Sequence, residues 1–345
     1  VNALLPADIQ AVLNQMEPAF AQAWADAIAQ IINQADAAAV EDAIRAGMYQ
    51  RAADLIVQSG VPLSALQGPV LQSYWAGGGL VAGMVPGVTN PFTGQSVVLG
   101  FNGFHPRAIA WAQATSAQLV TAILDDQRSG IQAFITTAVE QGQGPRSIAL
   151  DIVGRLNRAT GKREGGIIGL TSQQMQWVQN ARAELSDPAT ATKFIDRLAR
   201  DKRFDAMIKK AAKDGKALAS ADVDKIVQDY SSRLLKLRGE TIARTESLNA
   251  LRAGRHETWQ QAIDKGQMQA SDVIVEWSAT MDGRTRDSHR HLNRQKVTFG
   301  NVFVSELGSR MEFPGDTSHG AAAEDTIQCR CVALYRRRRV TDGNL

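Results

Sequence analysis

Between Glu240 and Ala279 the chain reads ETIARTESLNALRAGRHETWQQAIDKGQMQASDVIVEWSA, and its texture changes inside that stretch. The first part carries helical spacing until Gly266 stops it. VIVEWSA then alternates, with Val273, Val275 and Trp277 on one face, the period of a half-buried strand. Downstream lie short apolar runs, VTFGNVFV and CRCVALYR, separated by turn-rich segments such as FPGDTSHG. The expected fold class is therefore α+β: a mainly α-helical N-terminal region with a small mixed α+β C-terminal domain. The boundary falls at about residue 239, leaving a C-terminal unit of ordinary domain size over 239–345.

Upstream of that boundary the pattern is helical. Leu13, Met16, Phe20, Trp24, Ile28 and Ile31 recur at steps of three and four and line one face; Pro18 is expected to kink or divide that helix. Glycine and proline crowd Gly77–Gln95 too densely for a regular helix, so the N-terminal region, 1–105, is expected to end in an apolar Gly/Pro-rich loop that packs on its own domain or on a partner. A helical body over 106–238 follows. Ile109, Ala112, Leu119, Val120, Ile123 and Leu124 form its first stripe, and Gly130 is a candidate bend. Thr171 and Gln174 have capping-box spacing ahead of Met175, Val178, Ala181 and Leu185. The basic run DRLARDKRFDAMIKKAAKDGK interleaves with Asp196, Asp201, Asp205 and Asp214, the pattern of a solvated helix face.

Composition removes several classes of function. Hydrophobic residues are 44% of the 345 and charged residues 21%, a globular balance rather than a disordered one. Lys and Arg number 38 against 35 Asp and Glu, so attraction to nucleic acid has to come from a local patch. No apolar run approaches the roughly 20 residues of a bilayer span, and VNALLPADIQAVLNQ has no secretory-signal pattern. Two cysteines make no disulfide framework, and a bridge across one residue is strained, so reduced thiols and synthesis in a cytoplasm are expected.

Those two cysteines, Cys329 and Cys331, share the C-terminal unit with His289, His291 and His319. Thiolate and imidazole are the preferred tetrahedral ligands of zinc, which makes zinc the candidate cofactor, as a structural staple. His289 is the third ligand on this reading, with His291, His319 or Asp282 as the fourth. CxC and HxH spacing is looser than paired CxxC, and buried structural thiols are the alternative. Arg284, Arg286, Asp282 and Asp287 around His289 also have the composition of a phosphodiester-cleaving acid–base site, though no attacking group is fixed. Arg336, Arg337, Arg338 and Arg339 form a concentrated positive run that suits phosphates or an acidic protein surface, or simply a solvated terminus. No phosphate-cradling GxxxxGK[ST], HExxH or GxSxG motif is present.

YSSRLLKLRGETIARTESLNALRAGRHETW, EWSATMDGRTRDSHRHLN, FPGD and CRC, in that order, resemble the phage Mu F-like head morphogenesis proteins, the minor capsid or minor head proteins of tailed phages. The likeness is densest over Tyr230–Cys331 and weaker through LTSQQMQWV and DDQRSGIQAFITTAVEQGQGPRSIALDI. The resemblance implies a non-enzymatic structural protein of the virion, assembled in the host cytoplasm. It implies the portal protein and the major capsid protein as partners, with packaged DNA a further contact, and a role at the portal vertex in procapsid assembly, DNA packaging or delivery. Relatives carry CxxC where this chain has Arg286 and His289, and look like zinc-binding CxxC…CxC proteins. Here the resemblance carries over only His289, Cys329 and Cys331, with His319 as a local substitute for the fourth ligand. Arg244, Glu246, Asp282, Arg284, His289 and Asp316 are expected to hold the fold. The rival expectations are a nuclease-like or toxin-like C-terminal enzyme and a DNA-binding accessory protein acting through the arginine tail.

Overall fold

The computed structural model describes residues 6–84, 88–89, 96–97 and 99–338. Its helices are α1 (Ala7–Gln34), α2 (Ala37–Arg45), α3 (Tyr49–Val57), α4 (Gln67–Met84), α5 (Pro106–Glu140), α6 (Pro145–Val153), α7 (Ser172–Ser186), α8 (Asp205–Lys213), α9 (Ser220–Asp264), α10 (Asp287–Leu292) and α11 (Ala323–Thr326). The strands are β1 (Val88–Thr89), β2 (Ser96–Val97), β3 (Arg155–Leu156), β4 (Arg163–Glu164), β5 (Val273–Ser278), β6 (Lys296–Thr298), β7 (Phe303–Val304), β8 (Arg310–Met311) and β9 (Val332–Arg337). The α+β class holds, with the only sheet of three strands among the described residues in the C-terminal region.

Contacts group the chain into two units that interleave in sequence. One comprises residues 1–22, 66–116 and 241–345, the other 23–65 and 117–240. Helices α1, α5 and α9 each contribute to both. The contacts divide between Glu240 and Thr241, inside α9, which runs on without a break. Likewise Pro18 lies within a continuous α1.

In the second unit the capping box at Thr171 and Gln174 is formed on both sides, and Met175, Val178, Ala181 and Leu185 are buried below it. Gly130 lies within a continuous α5. A Cβ there would lie 2.7 Å from Met175 Sδ and 3.0 Å from Ser172 Cα, so the glycine admits α7. Ile109, expected in the α5 stripe, is exposed, and Ala108 takes the buried place. The basic run is ion-paired and largely solvated: Arg200 with Asp205, Arg203 and Arg233 with Asp201.

In the first unit the glycines expected to begin a loop extend α4 instead. Gly77 and Gly254 are where α4 and α9 touch. A Cβ on Gly254 would sit 1.9 Å from the Tyr74 carbonyl oxygen, and one on Gly77 would sit 2.0 Å from that of Leu251. No side chain fits between those backbones. The helix thus absorbs the propensity cost of its glycines in return for close packing. Residues 85–95 of the expected loop lie outside the described residues apart from Val88–Thr89. Around this contact Ile9 and Leu13 of α1, Leu248 and Leu251 of α9 and Val332 of β9 make a buried cluster.

The C-terminal sheet has the order β6-β5-β9, all antiparallel, with Val275 opposite Val297 on one side and Tyr335 on the other. Val273, Val275 and Trp277 are buried on one face of β5; on the other Ile274 is equally inaccessible, while Glu276 and Ser278 are half-buried.

Candidate metal centre

One face of α9 holds the CRC turn. Thr241, Thr245 and Arg252 follow at steps of four and seven, so they lie along one side of the helix. Thr241 Oγ1 accepts from Gln328 Nε2 at 3.0 Å and Thr245 Oγ1 from the Gln328 backbone N–H at 3.1 Å. This fixes Gln328 in the left-handed region, with φ of 53°. Arg252 then donates through Nη2 to the carbonyls of Cys329, at 2.9 Å, and Cys331. Cys329 and Cys331 precede β9 rather than lying in it. The Arg252 guanidinium bridges their two carbonyls.

Both sulfurs meet His289 of α10. Its Nδ1 is 3.4 Å from Cys331 Sγ and 3.7 Å from Cys329 Sγ, and all three side chains are buried. They form the one group of three or more potential metal donors found among the described residues, their ligand atoms within 4.8 Å of one another. Zinc bonds of about 2.3 Å to sulfur and 2.0–2.1 Å to nitrogen, at tetrahedral angles, put donors about 3.5–3.8 Å apart. The donor set fits zinc.

The surroundings fit as well. His289 Nε2 faces Asp325 Oδ1 at 3.3 Å, off the geometry of a good hydrogen bond and with no other acceptor. An imidazole that ligates through one nitrogen commonly offers the other to a carboxylate, which fixes its tautomer. Burial pushes the Asp325 carboxyl up, but hydrogen bonds from Ser305, Ser309 and Ser288 and the His289 charge together outweigh it and hold it low. The Trp277 indole N–H finds no hydrogen-bonding partner, and its ring lies edge-on to His289. The two thiols titrate as a pair: the Cys331 hydrogen bond and the Arg252 charge draw Cys329 down, whereas Cys331 is pushed up.

The other expected residues have separate places. Asp282 accepts a fork of bonds from Arg330, the residue between the cysteines, at 2.6 and 2.5 Å, which holds its carboxyl below the usual range. It also accepts from the Arg284 backbone N–H at 2.9 Å, closing the DGRT turn. Asp316 closes the FPGD turn by accepting from the N–H groups of Glu312 and Ser318, each at 2.9 Å. Gly315 there has φ of 83°, and a Cβ on it would lie 2.2 Å from Asn249 Oδ1 and 2.8 Å from Arg252 Nη1. FPGD therefore packs against the arginine that holds CRC. Arg244 and Glu246 flank Thr245 on α9 without joining the cluster, and burial alone raises the Glu246 carboxyl to about 7. His291 is exposed and pairs with Glu306 at 2.8 Å.

His319, expected as the fourth ligand, is elsewhere. Its Nε2 is 3.1 Å from Glu312 Oε1, while Glu312 Oε2 is 3.1 Å from His256 Nε2, and His256 stacks on Phe299. The hydrogen bond from His256, opposed by burial and reinforced by His319, draws the Glu312 carboxyl from its ordinary 4.5 to about 2. A carboxyl depressed on folding contributes stability that is complete above its unfolded value and lost as pH falls through the folded one. Denaturation midpoints are expected to drop between about pH 4.5 and 2, and Glu312→Gln is expected to flatten that limb in a urea titration. An unchanged slope would show that the His–Glu–His chain carries no linkage.

Nor is the arginine run a detached tail. Arg336 and Arg337 belong to β9, opposite Ile274 and Val273. Arg338 donates its backbone N–H to Asp272 and its Nη2 to Thr298 Oγ1, at 2.7 and 3.1 Å. Arg339 lies outside the described residues.

Thr245, Asn249, Arg252 and Asp325 are the members of this cluster that sequence reasoning missed. Thr245, Asn249 and Arg252 stand inside the helical stretch quoted first and look like ordinary helix residues there; the distant partners of Arg252 are backbone carbonyls.

Comparison with known proteins finds a relative and a family. Minor head protein GP7 of Bacillus phage SPP1 is 35% identical over 111 residues, 30% of this chain and 33% of that protein. The match therefore spans about a third of the length of the curated relative. No solved structure matches. The family model described as Phage Mu protein F like protein matches residues 129–334, which take in α10, the FPGD turn and the CRC turn. Matched by that model over more than half of its length, the chain belongs to the Phage Mu F-like family of minor head proteins.

Proposed function

We propose that this protein is a structural, non-enzymatic component of a tailed-phage head, resident in the virion and assembled in the host cytoplasm. On this reading it works at the portal vertex, between the portal protein and the major capsid protein, during procapsid assembly and DNA packaging or delivery. The observation that carries the reading is the burial of the motif residues. His289, Cys329 and Cys331 are 2–3% exposed, and the cavity beside them holds only about 20 Å³. Donors arranged to close a fold are hidden in this way, whereas a catalytic group has to reach its substrate. Zinc is the proposed occupant, held by His289, Cys329 and Cys331, and it would act there as a staple. Packaged DNA or an acidic portal surface is the proposed contact of the β9 arginines.

No helix among the described residues is long and apolar enough to cross a membrane. Heads assembled with the Cys329→Ser/Cys331→Ser double variant are expected to contain several-fold less of the protein than wild-type heads, measured by quantitative mass spectrometry of purified particles. Cross-linking in the same particles is expected to join it to portal and major capsid chains. Normal incorporation of the double variant, with loss of a nucleic-acid cleavage activity instead, would overturn the structural assignment.

A further inference from the structure

Three donors leave a tetrahedral ion one position short. Among the described residues no fourth side chain supplies it: Asp325 lies at the far nitrogen of His289, and His319 is paired with Glu312. On the α9 side the cluster is closed by Arg252, and the Trp277 indole stacks edge-on to His289. The remaining side gives onto a small cavity. His289 and Cys331 border a cavity of about 20 Å³, room for one water or one ligand atom, whose rim includes Thr280, Arg284, Arg286 and Arg330. Thr280, Arg284 and Arg330 also line a cleft of about 490 Å³ that carries Arg244. The small cavity and the cleft thus share a wall.

Charge decides what the position accepts. Two thiolates and a neutral imidazole make a neutral centre with a divalent ion, so an added anion needs cations outside it. Arg330 is neutralised by Asp282, and Arg286 donates to the Ile327 carbonyl at 2.5 Å. The exposed Arg284 guanidinium has no polar partner among the described residues. Arg244 feels Glu17, whose carboxyl is pushed up chiefly by burial. Arg284 and Arg286 therefore bring positive charge to the rim that carboxylates do not cancel.

We propose that the fourth position of the His289–Cys329–Cys331 centre faces this rim and binds an oxyanion, phosphate or carboxylate, that Arg284 and Arg286 hold. The inference rests on the zinc reading above. One oxygen of the anion would occupy the small cavity, with Arg284 and Arg286 holding the rest at its rim.

The test uses the full chain stripped of metal and reloaded with Co²⁺, whose visible absorption reports its ligands. Inorganic phosphate and acetate are titrated in separate arms at constant ionic strength. A saturable spectral change with either is expected, and the arm that responds identifies the source chemistry. Arg284→Gln and Arg286→Gln, checked for native circular dichroism, are expected to weaken the response about tenfold each, the scale of a charged hydrogen bond. Bound Co²⁺ with a tetrahedral spectrum that neither anion alters would overturn the inference, as would equal responses in the parent and both variants. Failure to bind Co²⁺ at all would instead sink the metal reading beneath it.

Discussion

Replacing Arg252 with alanine is expected to destabilise the unit built from residues 1–22, 66–116 and 241–345 by about 3–5 kcal/mol, because it leaves two buried carbonyls without a donor and a cavity behind them. Arg252 is 2% exposed and has no carboxylate partner among its hydrogen bonds. Burial pushes its guanidinium pKa down, and the nearby Cys329 and Cys331 sulfurs push back. Truncation therefore leaves the Cys329 and Cys331 carbonyls without their donor, and an unpaired buried carbonyl costs about 1–3 kcal/mol. It also empties the space under Gly315. Urea denaturation should show the loss in midpoint, and hydrogen exchange should show protection vanishing first at the CRC turn and β9. Arg252→Lys restores a charge but not the reach of two N–H groups to two carbonyls, so it should recover only part. A midpoint for the alanine variant within about 1 kcal/mol of wild type would mean that CRC is held by Thr241 and Thr245 alone.

Arg252 also marks the limit of what the sequence makes legible. The C-terminal module announces itself through rare residues: two cysteines, four of five histidines and the alternation of VIVEWSA. Arg252 lies in LRAGRHETW with ordinary helical spacing, and its partners are backbone atoms 77 and 79 residues away. Backbone acceptors have no sequence signature. His319 misled for the opposite reason. Its residue type fits a ligand set, and only the chain path shows that Glu312 claims it. Glycine misled similarly at Gly77, where local propensity argues against a helix and a neighbouring helix backbone argues for one. The interleaved units were illegible because α1, α5 and α9 keep one period through both, so no punctuation marks where the packing partners change.

Removing zinc is expected to have the larger effect. Structural zinc contributes about 10–16 kcal/mol of apparent binding energy in small zinc-dependent peptides, and that energy is coupled to folding. Here the scaffold supplies part of the order itself: Arg252 fixes both cysteine carbonyls, Asp282 and Arg330 clamp the turn, and Asp325 faces His289. The ion's share of folding stability should therefore be smaller, about 5 kcal/mol, which corresponds to a fall of about 10–20 °C in the melting midpoint of a domain of 150–250 residues. Purified protein should carry one zinc per chain by elemental analysis, and a strong chelator should lower the midpoint by that amount. Cys329→Ser should retain little zinc and melt at the chelated value with or without chelator. Asp325→Asn should retain zinc more weakly, because the variant keeps the shape but loses the charge that steadies His289. Removing the metal also leaves the two buried sulfurs sharing protons beside Arg252. The chelated protein should accordingly gain a pH dependence near the CRC turn that the loaded protein lacks, since a bound divalent ion holds both thiolates at every pH where it stays bound. Protein that carries no zinc and melts unchanged under chelation would show instead that His289, Cys329 and Cys331 pack as a purely proteinaceous clasp.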